Sequence, residues 1–215
     1  MQADGTISPH RTPEPPRQKG FNPKAVIPFG VKVDDIAAAM RDFTDFLGYV
    51  NAEMERRDLV RLEDMLMPAN FSSVVSEFMS ATVPKHAKSV AKNNYHNGHP
   101  DIIPAGKYPG DKVQHAGADG IEVKASRYLK GWQGHNVEDV WLVVFVFDSG
   151  KPADVVNRAR PEPFRFEMVL GAMLTKNDWK FAGRSETSRR TITASVTTSG
   201  YEKMMANVIY RRPTS

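Results

Sequence analysis

The run Trp-Leu-Val-Val-Phe-Val-Phe at positions 141–147 decides how this chain folds. It is continuously apolar and rich in β-branched and aromatic side chains, which predicts a central strand covered on both faces. Upstream, the run Gly-Ile-Glu-Val-Lys-Ala at positions 120–125 alternates apolar and charged residues, which is the period of a half-buried strand. Further strands are predicted at residues 101–103, 164–174, 179–181 and 191–196.

Helices are predicted on both sides of these strands. Asp34 favours a helix start, and apolar residues then recur at spacings of three and four along one helical face. The residues of this face are Ile36, Met40, Phe43, Leu47, Val50 and Met54. Pro68 is expected to end the helical stretch, and a short helix is expected at residues 72–81. Ser199 and Glu202 match a capping box that opens a final helix.

The order of these elements predicts the domain organisation. We expect an α/β fold with a mixed central β-sheet flanked by helices and with a helical N-terminal part. Residues 1–28 contain six prolines and few large apolar side chains, so they are expected to form an extended or disordered arm. Residues 29–215 are expected to form one domain, in which residues 29–92 are mainly helical and residues 93–215 carry the sheet.

The composition excludes several classes of protein. The chain has 215 residues and no cysteine, which excludes disulfides, zinc sites built on thiolates and a cysteine nucleophile. It contains no apolar run of the roughly 18 residues that a membrane-spanning helix needs. Residues 1–16 also lack the apolar segment of a secretory signal. We therefore expect a cytoplasmic protein without a membrane partner.

Charge is distributed unevenly along the chain. The net charge is −5 over residues 33–67, +4 over residues 85–130 and +5 over residues 180–215. Two basic segments after an acidic one are typical of a protein that presents one face to a polyanion. The alternative is that solvated faces simply differ in charge, and charge alone does not decide between the two.

The most informative motif is His99-Pro100-Asp101 followed, 21 positions after the aspartate, by Glu122-Val123-Lys124. Because alternate residues of a strand point to the same face, Glu122 and Lys124 are expected to project together. Asp101 begins a neighbouring predicted strand, so it is expected to bring a second carboxylate to the same place.

This motif resembles the PD-(D/E)XK nuclease superfamily, in which a Pro-Asp pair on one strand is followed by Glu-X-Lys on the next. The sequences at 132–136 (Trp-Gln-Gly-His-Asn) and 185–191 (Ser-Glu-Thr-Ser-Arg-Arg-Thr) are also similar to those of type II restriction endonucleases. The resemblance implies a restriction endonuclease-like fold and hydrolysis of double-stranded DNA at a specific sequence. It also implies a homodimer. The sequence leaves open whether a companion methyltransferase exists in the same restriction-modification system, and no direct contact with one is implied.

The resemblance assigns Asp101, Glu122 and Lys124 to the catalytic centre, with a metal ion held by Asp101, Glu122 and the carbonyl group of Val123. Magnesium suits these ligands, because this hard cation binds oxygen atoms and usually takes only one or two protein carboxylates. Lys124 would lie beside the metal ligands, where it can orient or deprotonate water and balance the charge of a phosphate.

Further candidates lie around the motif. Family members often carry an additional acid on a preceding helix, for which Glu77 is the candidate and Glu63 the alternative, and either can instead be an ordinary surface residue. Amides and arginines can read bases or contact phosphates, although amides also cap loops and exposed basic residues are common on any surface. The candidate DNA-binding residues are Gln133, His135, Asn136, Arg189, Arg190 and Lys92.

Other functions remain open at this point. His96 and His99 superficially resemble a zinc site or an HNH nuclease, but the cysteines and the paired upstream histidine are missing, so they are expected to be loop or supporting residues. One alternative is a nuclease of the same superfamily that acts in repair or phage defence without a fixed recognition sequence. Another is a non-catalytic DNA-binding module, which would have no need of an intact Asp101, Glu122 and Lys124.

Overall fold

The computed structural model describes residues 8–134, 136–150, 162–181 and 194–214. Its α-helices are α1 (Val33–Arg56), α2 (Leu62–Met65), α3 (Pro68–His86) and α4 (Thr198–Met205). Its strands are β1 (Val90–Lys92), β2 (Ile102–Pro104), β3 (Ile121–Ser126), β4 (Gln133–Gly134), β5 (Val140–Asp148), β6 (Arg165–Leu174), β7 (Trp179–Phe181), β8 (Ala194–Val196) and β9 (Val208–Arg211). None of the helices in the described ranges is both long enough and apolar enough to cross a membrane.

The strands form a six-stranded sheet in the order β1-β2-β3-β5-β6-β9. β3 and β5 are parallel, and the other neighbouring pairs are antiparallel. The prediction of an α/β fold with a mixed central sheet is therefore confirmed. A second, three-stranded sheet has the order β4-β8-β7 and is antiparallel; we call it the small sheet.

Strand β5 lies at the centre of the hydrophobic core, as its sequence predicts. All residues from Val140 to Phe147 are buried. Alternate residues, beginning with Trp141, pack in the cluster that includes α1 and α3, whereas those beginning with Val140 pack with residues of the small sheet and α4. The central sheet therefore has a helix-side face and a small-sheet face, and both are covered at β5.

The N-terminal helices differ from the sequence prediction in their bounds. The apolar face predicted for α1 is largely buried, and the helix begins one residue before Asp34. α3 begins at Pro68 rather than ending there, because proline at the first helical position loses no hydrogen bond. It also extends past the predicted 72–81 and includes Pro84 in its last turn, with side chains buried at spacings of four from Phe71 to Val83.

The C-terminal elements differ from the prediction in two respects. α4 is capped by Thr197 rather than Ser199, since the Thr197 hydroxyl accepts a hydrogen bond from the Gly200 amide at 3.3 Å. The chain then adds a strand, β9, that the sequence analysis did not predict. Its Ile209 and Tyr210 are buried in the helix-side core.

The N-terminal arm is described from residue 8 onward; Ser8 and Arg11 contact Glu55 near the end of α1, and residues 14–22 lie along the edge of the central sheet. The Glu14 amide donates to the Phe164 carbonyl at 2.8 Å, and the Asn22 amide donates to the Ile209 carbonyl at 2.9 Å. The ring of Phe21 packs against that of Tyr210, with centroids 4.6 Å apart. The arm thus covers β9, which would otherwise be an open edge strand.

Candidate active site

The segment that leads into β2 is held by the buried side chain of Asn93. Its amide nitrogen donates to the carbonyl groups of Pro100 (3.1 Å) and Val113 (2.8 Å). Its amide oxygen accepts from the backbone N–H groups of Tyr95 (3.1 Å) and Val113 (3.2 Å). Because every hydrogen-bonding group of this amide is engaged, the loop that precedes Asp101 has a defined position.

Asp101 is placed against β3 by its own side chain. One carboxylate oxygen, Oδ2, accepts a hydrogen bond from the Val123 amide at 2.8 Å. The close approach of the two strands depends on Gly120, where a Cβ atom would overlap the Ile102 carbonyl oxygen and the Pro100 ring. The strand pairing that the motif predicts therefore brings Asp101 to the middle of β3.

Glu122 and Lys124 project together, as their spacing predicts. In the parallel register they lie beside Leu142 and Val144, which belong to the small-sheet face. The Lys124 ammonium group contacts Glu122 Oε1 directly. The Glu122 side chain is 8% exposed and that of Lys124 is 26% exposed, so the carboxylate is buried behind a lysine that reaches solvent.

The two carboxyl groups oppose each other's ionisation. Burial, followed by the negative charge of Glu122, raises the pKa of Asp101 to about 7, and the Asp101 carboxyl lies within hydrogen-bonding reach of Glu122. Burial also acts against ionisation of Glu122, but the contacts with His99 and Lys124 outweigh it and lower the pKa of Glu122 to about 2. Burial and the charge of Glu122 therefore disfavour ionisation of Asp101 more than the charge of Lys124 favours it.

A histidine joins this cluster to an acid that precedes β5. His99 Nδ1 lies 2.9 Å from Glu122 Oε2, and His99 Nε2 lies 2.9 Å from Glu138 Oε2. Both are ion-pair contacts, and Nε2 has no aligned hydrogen-bond partner among the described residues. Burial disfavours the charged imidazolium, yet the two carboxylates outweigh it and raise the pKa of His99 to about 10.

The two acids considered on preceding helices have other partners. Glu77 lies on α3, its side chain is 69% exposed, and it pairs with Lys92 at 3.0 Å. No contact in the described part of the chain joins it to Asp101 or Glu122. Glu63 is buried in α2, where both its oxygens accept hydrogen bonds from the Asn51 amide (3.2 and 2.9 Å). The role of Glu77 in catalysis stays a prediction.

The candidate DNA-binding residues are described only in part. Gln133 is exposed in β4 of the small sheet, and Asn136 is exposed shortly after it. Lys92 is engaged with Glu77. His135, Arg189 and Arg190 lie outside the described residues.

Sequence reasoning missed Glu138 and left His99 as a loop or supporting residue. Glu138 belongs to no motif, and it meets His99 only because β3 and β5 are neighbours in the sheet. Nothing in the local sequence marks Glu138 as part of a site, since a single glutamate before an apolar strand is common. In the described ranges, no three or more histidine, aspartate or glutamate side chains are arranged to hold a metal ion, so the site brings together two candidate carboxylate ligands, Asp101 and Glu122.

Comparisons of the chain with protein-family models, with curated proteins and with solved structures find no match. The functional interpretation therefore depends on the geometry of this site and on the motif that it contains.

Proposed function

We propose that this chain is a magnesium-dependent endonuclease that hydrolyses phosphodiester bonds of double-stranded DNA. The observation that carries the proposal is one buried cluster, in which Lys124 contacts Glu122 directly and Asp101, just before β2, interacts electrostatically with both and accepts a hydrogen bond from the Val123 amide. A structural ion pair needs one acid and one base, whereas this cluster holds a second carboxyl group at the cost of its normal ionisation.

The residues present fit a divalent cation. Two buried carboxyl groups in contact resist joint ionisation, and the raised pKa of Asp101, about 7, results from burial and from the charge of Glu122. A divalent cation between such groups would favour the ionised form of both. Asp101 and Glu122 would hold the ion, and the family resemblance adds the Val123 carbonyl. When bound, magnesium supplies Lewis-acid stabilisation of phosphate charge and lowers the pKa of coordinated water.

The chain's own groups position the reaction around that ion. The hydrogen bond from the Val123 amide fixes the orientation of Asp101. Lys124 lies against Glu122 and is partly exposed, so its ammonium group can meet a phosphate oxygen or hold an attacking water molecule. The carboxylates are buried, and the lower dielectric constant there makes their interaction with a cation stronger than it would be in bulk water.

The proposed substrate is supported by the resemblance and by two exposed amides, Gln133 and Asn136. The site lies on the small-sheet face, and exposed Gln133 and Asn136 belong to or follow the small sheet, within 14 residues of Glu122 in the sequence. Amides at such positions can contact adenine edges or phosphates. We therefore propose cleavage at a specific sequence, in the manner of type II restriction enzymes, by a homodimer that cuts both strands.

The test is incubation of the purified protein with unmethylated phage and plasmid DNA, with magnesium or with EDTA. Glu122→Ala and Lys124→Ala are expected to slow cleavage by at least about 100-fold, because each removes a group that stabilises the transition state. Glu202→Ala and Lys24→Ala are matched controls, since both side chains are exposed and make no contact with the cluster.

Discrete, magnesium-dependent fragments that disappear in both cluster variants would support a site-specific endonuclease. A smear with the same dependence would support a nuclease without a fixed recognition sequence. DNA binding without cleavage in magnesium would contradict the proposal and favour a binding module. Cleavage that survives both substitutions would show that the catalytic centre lies elsewhere.

A further inference from the structure

The chain Glu138–His99–Glu122 is an arrangement that the family motif does not contain. Both ring nitrogens of His99 lie 2.9 Å from a carboxylate oxygen. Glu122 therefore has a positively charged group at each oxygen, with His99 paired to Oε2 and Lys124 donating to Oε1. The final torsion of a glutamate side chain has broad preferences, so these two contacts are what fix the plane of this carboxylate.

His99 and Lys124, the two groups that contact Glu122, differ in how firmly they are held. The His99 backbone is tied on both sides, because its amide donates to the Gln114 carbonyl (3.0 Å) and its carbonyl accepts from the Ala116 amide (2.8 Å). Its ring also packs edge-on against that of His115, with centroids 5.7 Å apart. Lys124 reaches Glu122 through a flexible four-carbon side chain. His99 is therefore the more rigid reference for the orientation of Glu122.

Glu138 occupies a backbone position that does not depend on its side chain. Its carbonyl oxygen accepts a hydrogen bond from the Trp179 indole at 2.9 Å, which fixes the segment before β5. Its side chain is 17% exposed and points to His99. The main chain of Glu138 is therefore held in place by this hydrogen bond, so the position of the residue does not depend on the contact of its carboxylate with His99.

We propose that Glu138 is a positioning residue that acts through His99 to hold the Glu122 carboxylate in the orientation that metal binding requires. This inference rests on the proposed nuclease function. His99 is one step removed from the proposed ligand Glu122, and loss of such a partner typically lowers metal affinity or activity about 10–100-fold; Glu138 lies one step further out, so its loss is expected at the lower end of that range. Glu138 would thus be the third acid of the site, two residues before β5 rather than on a helix.

The experiment compares Glu138→Gln, His99→Gln and the double variant with the wild type. Manganese binding without DNA is measured by electron paramagnetic resonance, and the magnesium concentration for half-maximal plasmid cleavage is measured separately. Glu202→Gln is the control, because it removes the same charge from an exposed position on α4. Thermal unfolding of each variant verifies that it is folded.

We expect Glu138→Gln to weaken manganese binding about 10-fold and to raise the half-maximal magnesium concentration similarly, while saturating magnesium restores most of the cleavage rate. The double variant should be no weaker than His99→Gln alone, because Glu138 acts through that ring. A purely structural role would lower the unfolding temperature without this separation between metal affinity and maximal rate.

Three outcomes would overturn the inference and leave the nuclease function standing. They are metal affinity in Glu138→Gln equal to that of Glu202→Gln, losses that add in the double variant, and tighter manganese binding in either single variant. The second would mean that Glu138 acts independently of His99, and the third that His99 is a competing cation. A wild-type protein that neither binds manganese nor cleaves DNA would overturn both proposals.

Discussion

Two polar clusters lie at opposite ends of β5, and they treat buried charge differently. At the end that follows Asp148, the fully buried Arg61 uses every N–H of its guanidinium group. The Nε and Nη2 groups bind Asp64, and the remaining hydrogens bind carbonyl oxygens of His10, Glu162 and Ser149. This cluster joins the N-terminal arm, α2 and the segments that flank β5 and β6.

At the other end of β5, donors and acceptors are not matched in this way. Asp101 faces the Glu122 carboxylate, and among the described residues one aligned amide, that of Val123, supports it. His99 Nε2 lies close to Glu138 without an aligned hydrogen bond. The difference teaches that buried charge alone does not identify a functional site. What distinguishes the candidate active site is like charge held together, which costs stability unless a ligand relieves it.

The largest effect on stability is expected at the matched cluster. Arg61→Met should lower the free energy of unfolding by about 3–5 kcal/mol, because it leaves buried acceptors from four chain segments unpaired. Urea unfolding measures this change. Arg56→Met is the control, since Arg56 is 57% exposed and pairs with Glu53 at the surface, so its loss should leave the free energy of unfolding almost unchanged. Equal losses would show that the Arg61 cluster does not stabilise the fold.

The opposite sign is expected at the candidate active site. Asp101 has a pKa of about 7 in the folded protein without metal, against about 3.9 when unfolded, so the folded state binds more protons between these values. Stability should therefore fall as the pH rises from about 4 to about 7. Asp101→Asn removes this loss and should stabilise the metal-free protein by about 2 kcal/mol at pH 8 while abolishing cleavage.

The measurement is urea unfolding in EDTA at several pH values. The advantage of Asp101→Asn should shrink as the pH falls from 8 to 4, because the wild-type carboxyl becomes protonated. Destabilisation by this substitution at pH 8 would mean that Asp101 is an ordinary structural acid, and the contrast between the two ends of β5 would fail.

A smaller effect at a third buried acid sharpens the comparison. Asp178 is 3% exposed and accepts from Lys203 Nζ at 2.6 Å and from the Thr175 amide at 2.8 Å. Burial opposes its ionisation, but these partners outweigh it and lower its pKa. Its stabilisation is thus present above the unfolded pKa of about 3.9 and is lost as the pH falls through the lower folded value.

Lys203→Met should therefore cost about 1 kcal/mol at pH 7, discounted because Lys203 is 48% exposed, and nothing in strong acid. Lys107→Met is the matched control, since Lys107 and Asp119 are both about half exposed and solvent screens their pair, so its loss should have little effect on stability. Chemical denaturation at the two pH values provides the measurement. A loss that persists unchanged at low pH would refute the assignment of this stability to the Asp178 carboxylate.

The sequence was most informative where a local pattern has a single structural meaning. The apolar, β-branched run of β5 favours a buried strand at this length, and the spacing of Glu122 and Lys124 places both on one face of β3. The pairing of β2 with β3, which brings Asp101 to Val123, followed from the motif rather than from periodicity.

The features of the fold and of the site that could not be predicted depend on contacts between segments that are distant in the sequence. His99 and Glu138 are 39 positions apart, and they meet only after β2, β3 and β5 have assembled side by side. The start of α3 at Pro68 was missed because proline both ends helices and begins them, and tertiary packing decides which. β9 was missed because it has four residues, too few for a clear sequence pattern, and forms a strand by pairing with β6.

The central claim is that Asp101 and Glu122 hold a metal ion next to Lys124. The most direct measurement is a crystal structure of the protein soaked with manganese, with the ion located by its anomalous scattering. We predict a peak bound by carboxylate oxygens of both Asp101 and Glu122, and its loss in Glu122→Ala crystals. A peak at other side chains, with none at these two carboxylates, would contradict the account.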